Sequence, residues 1–361
     1  MRFPSKAFFA SSVVVVVLGN LLLGAPSATA KESLVSLLPK SERSVFILDI
    51  SSSTNVQSNW NKSLRPSIIK KLRSQPFGFP ISKGSKTRIP PVDISVSSIT
   101  ANSIDAPIFP VVTIDDANKM WGLIDEIGTN PTQKRLELIT KDIFGGNGAF
   151  TNLSEMFVSR PIVVPSKTAC EAKTLSAFSG GIFMRDLSTQ EKKKSASTLC
   201  ELAIGIATRV TAIDAYFENP DCGARGACSD VIGALLSMSY AAADLYEKSP
   251  KSQLCIAIAS DMLNNVPGLK SDSLLNSRRV AETAKSISDA KTKGTTVAQL
   301  VGISFPEKMS IRVFVLGQGS GKKPLPLDKN AMLSAYWQGF FESAGIKNSK
   351  ASPSLDQACS K

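Results

Sequence analysis

The chain has 361 residues, 43% of them hydrophobic, and a formal net charge of +12 from 42 basic and 30 acidic side chains. This length and hydrophobic content exclude a disordered chain and predict one large folded domain or two ordinary ones. The sequence contains no histidine, which excludes Ser-His-Asp and Cys-His catalysis and every usual catalytic zinc site. The basic residues are scattered and carry no nucleic-acid motif, so we expect no nucleic-acid partner.

Residues 1–30 have the organisation of a secretion signal. A basic start precedes an apolar run over residues 7–23, and Ala28 and Ala30 supply the small side chains that signal peptidase requires. We therefore expect cleavage after Ala30 and an extracytoplasmic mature protein that is secreted, periplasmic or associated with the cell envelope. The alternative is an uncleaved membrane anchor, since the run approaches spanning length. No later apolar stretch is comparable, so we expect the processed chain to be soluble.

The cysteines predict disulfides, because their number is even and the chain carries an export signal. Only Cys222 and Cys228 have a locally evident partner, each other, across a short loop that contains two glycines. The remaining pairings stay open. A zinc cluster is not expected, because the sequence has no Cys-x-x-Cys pair. The six cysteines are Cys170, Cys200, Cys222, Cys228, Cys255 and Cys359.

The first predicted element is a strand over residues 44–48, a continuous apolar run typical of a strand buried on both faces. The strand ends at Asp49, and a helical pattern follows from Trp60 to Leu72. Two further strands are predicted over residues 92–99 and 107–114.

The segment from about residue 117 to 194 has helical periodicity interrupted by glycine and proline, which indicates an insertion between the elements of the sheet. Regular alternation then returns, and residues 351–361 are predicted to form a C-terminal tail. The alternation predicts an α/β fold with a doubly wound, mostly parallel sheet flanked by helices. Its later elements are predicted helices at 195–217, 230–248, 272–289 and 328–344, and predicted strands at 253–259 and 310–316.

Asp49, Ser51 and Ser53 form an Asp-x-Ser-x-Ser sequence at the end of the first core strand. One carboxylate and two hydroxyls that converge there would make a hard oxygen site suited to Mg²⁺ or Ca²⁺. The same residue types also cap turns and helices without any metal, and this alternative stays open.

This constellation resembles the metal ion-dependent adhesion site of von Willebrand factor A-type domains. Residues 226–235 look like the Gly-Thr-Asp-Ile-x-x-Ala-Leu stretch of that family, with Ser229 in the threonine position. Ser260 and Asp261 look like its Thr-Asp-Gly turn, although Met262 stands where glycine is common. The resemblance implies a domain of this family over residues 31–350, with an insertion at about 117–194. It also implies a Mg²⁺ site, or a Ca²⁺ or Mn²⁺ site, formed by Asp49, Ser51, Ser53, Ser229 and Asp261.

The resemblance implies a binding or adhesion protein rather than an enzyme, in which the cation keeps a coordination position open for a carboxylate of a protein partner. One alternative is a structural or assembly protein of the envelope that keeps the fold without the metal. A less favoured one is a phosphotransferase of the haloacid dehalogenase type, with Asp49 as nucleophile. That chemistry requires a second acidic residue two positions after the nucleophile, where this chain has Ser51. A membrane partner is expected only if the signal stays uncleaved.

Overall fold

The computed structural model describes residues 42–51, 59–74, 77, 92–128, 133–219, 229–249, 251–264, 283–320, 324–351 and 359. The predicted signal segment, Ser53, and the loop with Cys222 and Cys228 lie outside the described residues.

A six-stranded sheet forms the centre of the fold, in the order β3-β2-β1-β4-β5-β6. All neighbouring strands are parallel except β2 and β3, which are antiparallel. The predicted α/β class with a mostly parallel sheet is therefore confirmed. The strands are β1 (Glu42–Asp49), β2 (Val92–Ile99), β3 (Phe109–Val112), β4 (Gln253–Ala259), β5 (Ser310–Leu316) and β6 (Asn348–Ala351).

Helices surround the sheet, and the first of them continues directly from a π-helical turn at Asn59–Leu64. Short 3-10 turns lie at Ser103–Asp105, Glu155–Phe157 and Met184–Asp186. The α-helices are α1 (Arg65–Ser74), α2 (Ile114–Gly128), α3 (Gln133–Phe144), α4 (Ala149–Ser154), α5 (Lys167–Ser179), α6 (Thr189–Glu218), α7 (Val231–Lys248), α8 (Thr283–Leu300) and α9 (Leu327–Ser343).

Strand β1 is apolar along its whole length because both of its faces are covered. Phe46 and Leu48 point to a core shared with α1, α2 and α6, whereas Val45 and Ile47 point to a second core shared with α7, α8 and α9. Side chains alternate between faces in a strand, so each layer takes every second residue. Complete burial of each such side chain contributes about 1.5–3 kcal/mol to folding.

The predicted strand at 107–114 is too long, because a helix starts inside it. The hydroxyl of Thr113 accepts a hydrogen bond from the backbone N–H of Asp116, and the carboxylate of Asp116 accepts one from the N–H of Thr113. This reciprocal pair is a capping box, which fixes the start of α2 and ends the strand at Val112.

The helix predicted at 272–289 ends later than predicted. Its described part, α8, runs to Leu300 and ends where Gly302 adopts a positive φ of 68°. The N–H of Ile303 bonds to the carbonyl of Ala298, and that of Gly302 to the carbonyl of Gln299. These two bonds form a Schellman motif, which depends on glycine at the left-handed position.

Helices α8 and α9 approach closely at two glycines. A Cβ on Gly294 would lie 1.9 Å from the carbonyl oxygen of Tyr336, and one on Gly339 would lie 2.1 Å from that of Lys291. No side chain fits at such distances, so glycine sets the separation of the two helices.

Helix α6 begins earlier than predicted, because Ser188 and Glu191 form another capping box. Within the described chain, α6 is the helix whose length and composition would allow it to cross a membrane. Half of the relevant window is buried, however, and Cys200 of α6 is bonded to Cys170 of α5. These are the contacts of a helix in a protein core.

A second disulfide joins Cys255 in β4 to Cys359 near the end of the chain. Strand β6 at Asn348–Ala351 pairs with β5 just before this link. Neither feature was predicted, since residues 351–361 were expected only to form a tail. The two disulfides are compatible with an oxidising, extracytoplasmic location.

Candidate functional site

The candidate site lies where the order of the strands reverses, between β1 and β4. Asp49 is the last residue of β1, and Asp261 follows β4 by two positions. In open α/β sheets, ligands bind outside the carboxyl ends of the strands at such a switch point. The sheet therefore places both predicted carboxylates at the position where a ligand is expected.

The Asp49 carboxylate is fully buried and joins two loops. Its Oδ1 accepts a hydrogen bond of 2.8 Å from the backbone N–H of Ser51, and its Oδ2 accepts one of 2.6 Å from the hydroxyl of Ser260. The predicted ligand pair Asp49 and Ser51 is thus in contact, and Ser260 adds a hydroxyl from β4.

Burial raises the pKa of Asp49 from 3.8 to about 6. Hydrogen bonds from Ser260 and Ser51 oppose this rise, whereas the nearby charge of Asp261 adds to it. The site is therefore a buried group of carboxylate and hydroxyl oxygens.

The turn after β4 is fixed by local hydrogen bonds. The carboxylate of Asp261 accepts one from the N–H of Leu263, and the hydroxyl of Ser260 accepts one from the N–H of Met262. Met262 has a positive φ of 64°, a region that favours glycine, and its carbonyl accepts a hydrogen bond from the indole N–H of Trp337. The backbone at this position therefore adopts the conformation for which glycine is best suited.

Asp230 acts as the N-cap of α7. Its Oδ1 accepts a hydrogen bond from the N–H of Gly233, and its Oδ2 accepts one from the N–H of Ser103. Its own N–H donates to the carbonyl of Thr100, just after β2. Asp230 therefore caps the helix, a role that requires no metal ion.

Ser229 precedes this cap and is buried at the same edge of the sheet. Helix α7 is tied to the loop after β4, because the N–H of Ile232 donates to the side-chain oxygen of Asn264 at 3.1 Å. Loops after β1, β2 and β4 and the start of α7 therefore meet at one edge. Ser53 lies outside the described residues.

Sequence reasoning placed Ser260 in the turn after β4 but missed its hydrogen bond to Asp49, and it missed Asn264 altogether. Ser260 had a signal, since it directly precedes Asp261 at the end of a buried strand. Asn264 had none, because its bond to α7 joins segments 32 residues apart.

The oxygen atoms present suit a hard divalent cation, because buried carboxylates need opposite charge and hydroxyls complete such shells. Within the described residues, no group of three or more His, Cys, Asp or Glu side chains is arranged to hold a metal ion. The predicted site contains only two carboxylates and depends on serine hydroxyls, so its metal stays a prediction. No family model, curated protein or solved structure matches the chain.

Proposed function

We propose that the protein is an extracytoplasmic binding protein of the von Willebrand factor A type that recognises a protein partner through a divalent cation. The observation that carries this proposal is the burial of Asp49 beside Asp261 at the switch point of the sheet. Two buried carboxylates repel each other, and a divalent cation would offset both their repulsion and their desolvation.

Asp49, Ser51, Ser53, Ser229 and Asp261 would hold the cation, which would be Mg²⁺, Ca²⁺ or Mn²⁺. When bound, the cation supplies a coordination position for a carboxylate of the partner. Ser260 would orient the Asp49 carboxylate toward the cation through its 2.6 Å hydrogen bond. No catalytic step is part of this function.

Two further observations support the resemblance. Met262 has a positive φ at the position where the family commonly has glycine. The four described members of the predicted ligand set are all buried at the carboxyl edge of the sheet. The disulfides and the predicted signal peptide support export, after which the protein would be secreted, periplasmic or attached to the envelope.

A metal-free structural or assembly protein is the second candidate. It is favoured by the complete use of the Asp49 carboxylate, since both oxygens already accept hydrogen bonds within the protein. In this version the Asp49–Ser260 contact serves only to join β1 to β4.

Calorimetric titration of protein freed of metal by chelator distinguishes the two. We expect wild-type protein to bind one equivalent of Mg²⁺, Mn²⁺ or Ca²⁺, and Asp49→Asn to bind none. The matched control is Asp244→Asn, which removes an exposed carboxylate paired with Lys248 and should leave the titration unchanged. Absence of binding by all three ions to wild-type protein would refute the cation site and favour the metal-free candidate.

A further inference from the structure

A cavity of about 620 Å³ lies beside α1, and its described lining includes none of the predicted metal ligands. Its volume is in the range of small-molecule sites. One wall is a face of α1, where lining residues recur at helical spacing, and the other follows the end of α3, α4 and the turn after it. The lining residues are Arg65, Pro66, Ile69, Lys70, Arg73, Phe144, Gly145, Gly146, Thr151 and Val158.

Arg65 lines the α1 side of the cavity and is buried, with only 6% of its surface exposed. Its Nε donates to both oxygens of Asp214, at 2.9 and 3.1 Å, and its Nη2 donates to the carbonyl of Ser159 at 2.9 Å. Trp60 also donates to Asp214. The guanidinium is therefore held rigidly, and its Nη1 makes no hydrogen bond to the described residues.

The charge of the lining is positive. Its three cationic residues are Arg65, Lys70 and Arg73, and the described lining contains no acidic residue. Asp214 offsets the charge of Arg65, and Glu155 offsets that of Arg73. The excess positive charge therefore belongs to Lys70, which is exposed and has no ion-pair partner in the described chain.

A buried hydroxyl supplies an independent observation. The Oγ1 of Thr151 is shielded from solvent and has no hydrogen-bond partner among the described residues. An unsatisfied buried hydroxyl costs about 1–3 kcal/mol, so such groups are uncommon unless a bound molecule satisfies them. Thr151 lines the cavity, where a ligand oxygen would accept its hydrogen.

The rest of the lining is mostly apolar, with Ile69, Phe144, Val158 and Pro66 beside the polar groups. We propose that this cavity binds a small amphiphilic anion, a carboxylate attached to an aliphatic chain. Arg65, Lys70 and Thr151 bind the carboxylate, while the apolar residues bury the chain.

Gly146 provides a way to block the cavity. A Cβ at this lining position would meet no atom within 4 Å, so a side chain enters open space. Gly146→Phe should fill the cavity without a backbone clash. The matched control is Gly122→Phe, at an exposed glycine of α2 where a Cβ also meets nothing within 4 Å.

The test is calorimetric titration of the full chain with sodium decanoate below its micelle concentration. Decyltrimethylammonium, with the same chain and opposite charge, and acetate, which lacks the chain, are the comparison ligands. We expect one decanoate site and no comparable binding of either comparison ligand. Gly146→Phe should abolish decanoate binding, and Gly122→Phe should retain it.

Substitutions of the polar groups keep the test decisive if Gly146→Phe does not fold. Lys70→Glu should weaken decanoate binding by about fivefold or more, as expected for reversal of one charge at the edge of a site. The control Lys193→Glu, on the exposed surface of α6, should leave decanoate binding unchanged. Thr151→Val should weaken decanoate binding severalfold. Asp49→Asn should have no effect, which separates this site from the proposed cation site. Lack of decanoate binding, or binding unchanged by Lys70→Glu and Thr151→Val, would overturn the proposal.

Discussion

Replacing Asp49 by asparagine in metal-free buffer should change how stability depends on pH. The pKa of Asp49 is about 6 in the folded protein and 3.8 as a model value for the unfolded chain. The unfolded chain therefore loses its proton first as pH rises. Below pH 3.8 this group contributes no destabilisation, between pH 4 and 6 destabilisation grows, and above pH 6 it is fully present.

The size of the effect follows from the shift. Each pKa unit corresponds to about 1.4 kcal/mol, so ionised Asp49 destabilises the fold by about 3 kcal/mol at pH 7.5. Asparagine keeps an oxygen for the N–H of Ser51 but cannot accept the hydroxyl hydrogen of Ser260 as Oδ2 does, at a cost of about 1 kcal/mol. We therefore expect Asp49→Asn to be about 2 kcal/mol more stable than wild type at pH 7.5, with no gain at pH 4.

Urea denaturation from pH 4 to 8 in EDTA measures this difference, with Asp244→Asn as the exposed control. Equal stability of Asp49→Asn and wild type across the range would refute the reasoning that burial controls the charge of this carboxylate. Saturating Mg²⁺ should stabilise the wild type selectively and reduce or reverse the difference, because ligand binds only the folded site.

Three further predictions concern interactions elsewhere in the fold. Asp214→Ala should destabilise the protein by about 3–5 kcal/mol in urea denaturation, because it leaves a buried guanidinium unpaired, whereas Asp244→Ala at an exposed pair should cost less than about 1 kcal/mol. Gly294→Ala should lower the melting temperature, since its Cβ would overlap a carbonyl of α9. The control Gly205→Ala, whose Cβ makes only an ordinary contact at 3.9 Å, should not lower it. Equal melting temperatures of the two variants would contradict the close approach of α8 and α9. Cys359→Ser should lower the free energy of unfolding by about 2–5 kcal/mol under oxidising conditions and have no effect on the reduced protein.

The central strands were predictable because their signal is local. Strands β2, β4 and β5 have the predicted bounds, and β1 contains the predicted run, since buried parallel strands are encoded by continuous or alternating apolar residues. The end of the strand predicted at 107–114 was not predictable, because the capping box of Thr113 and Asp116 starts a helix within the apolar pattern. Local propensity alone does not decide whether residues 113 and 114 continue the strand or begin the helix.

Long-range contacts escaped prediction. The ion pair of Arg65 and Asp214 joins residues 149 positions apart, and Cys255 pairs with Cys359 across 104 positions. No spacing rule selects such partners from one sequence. At the candidate site, the positions of Asp49 and Asp261 could be predicted from the ends of β1 and β4. The hydrogen bond from Ser260 to Asp49 could not, because it depends on the register of β1 against β4.

The disulfide between Cys255 and Cys359 closes a loop that contains only one of the two carboxylates of the candidate site. The closed loop contains Asp261, β5, α8, α9 and β6, whereas Asp49 and Ser51 lie on the open chain before it. One carboxylate of the site thereby lies inside a loop closed by a disulfide, and the other is joined to that loop by the hydrogen bond from the Ser260 hydroxyl.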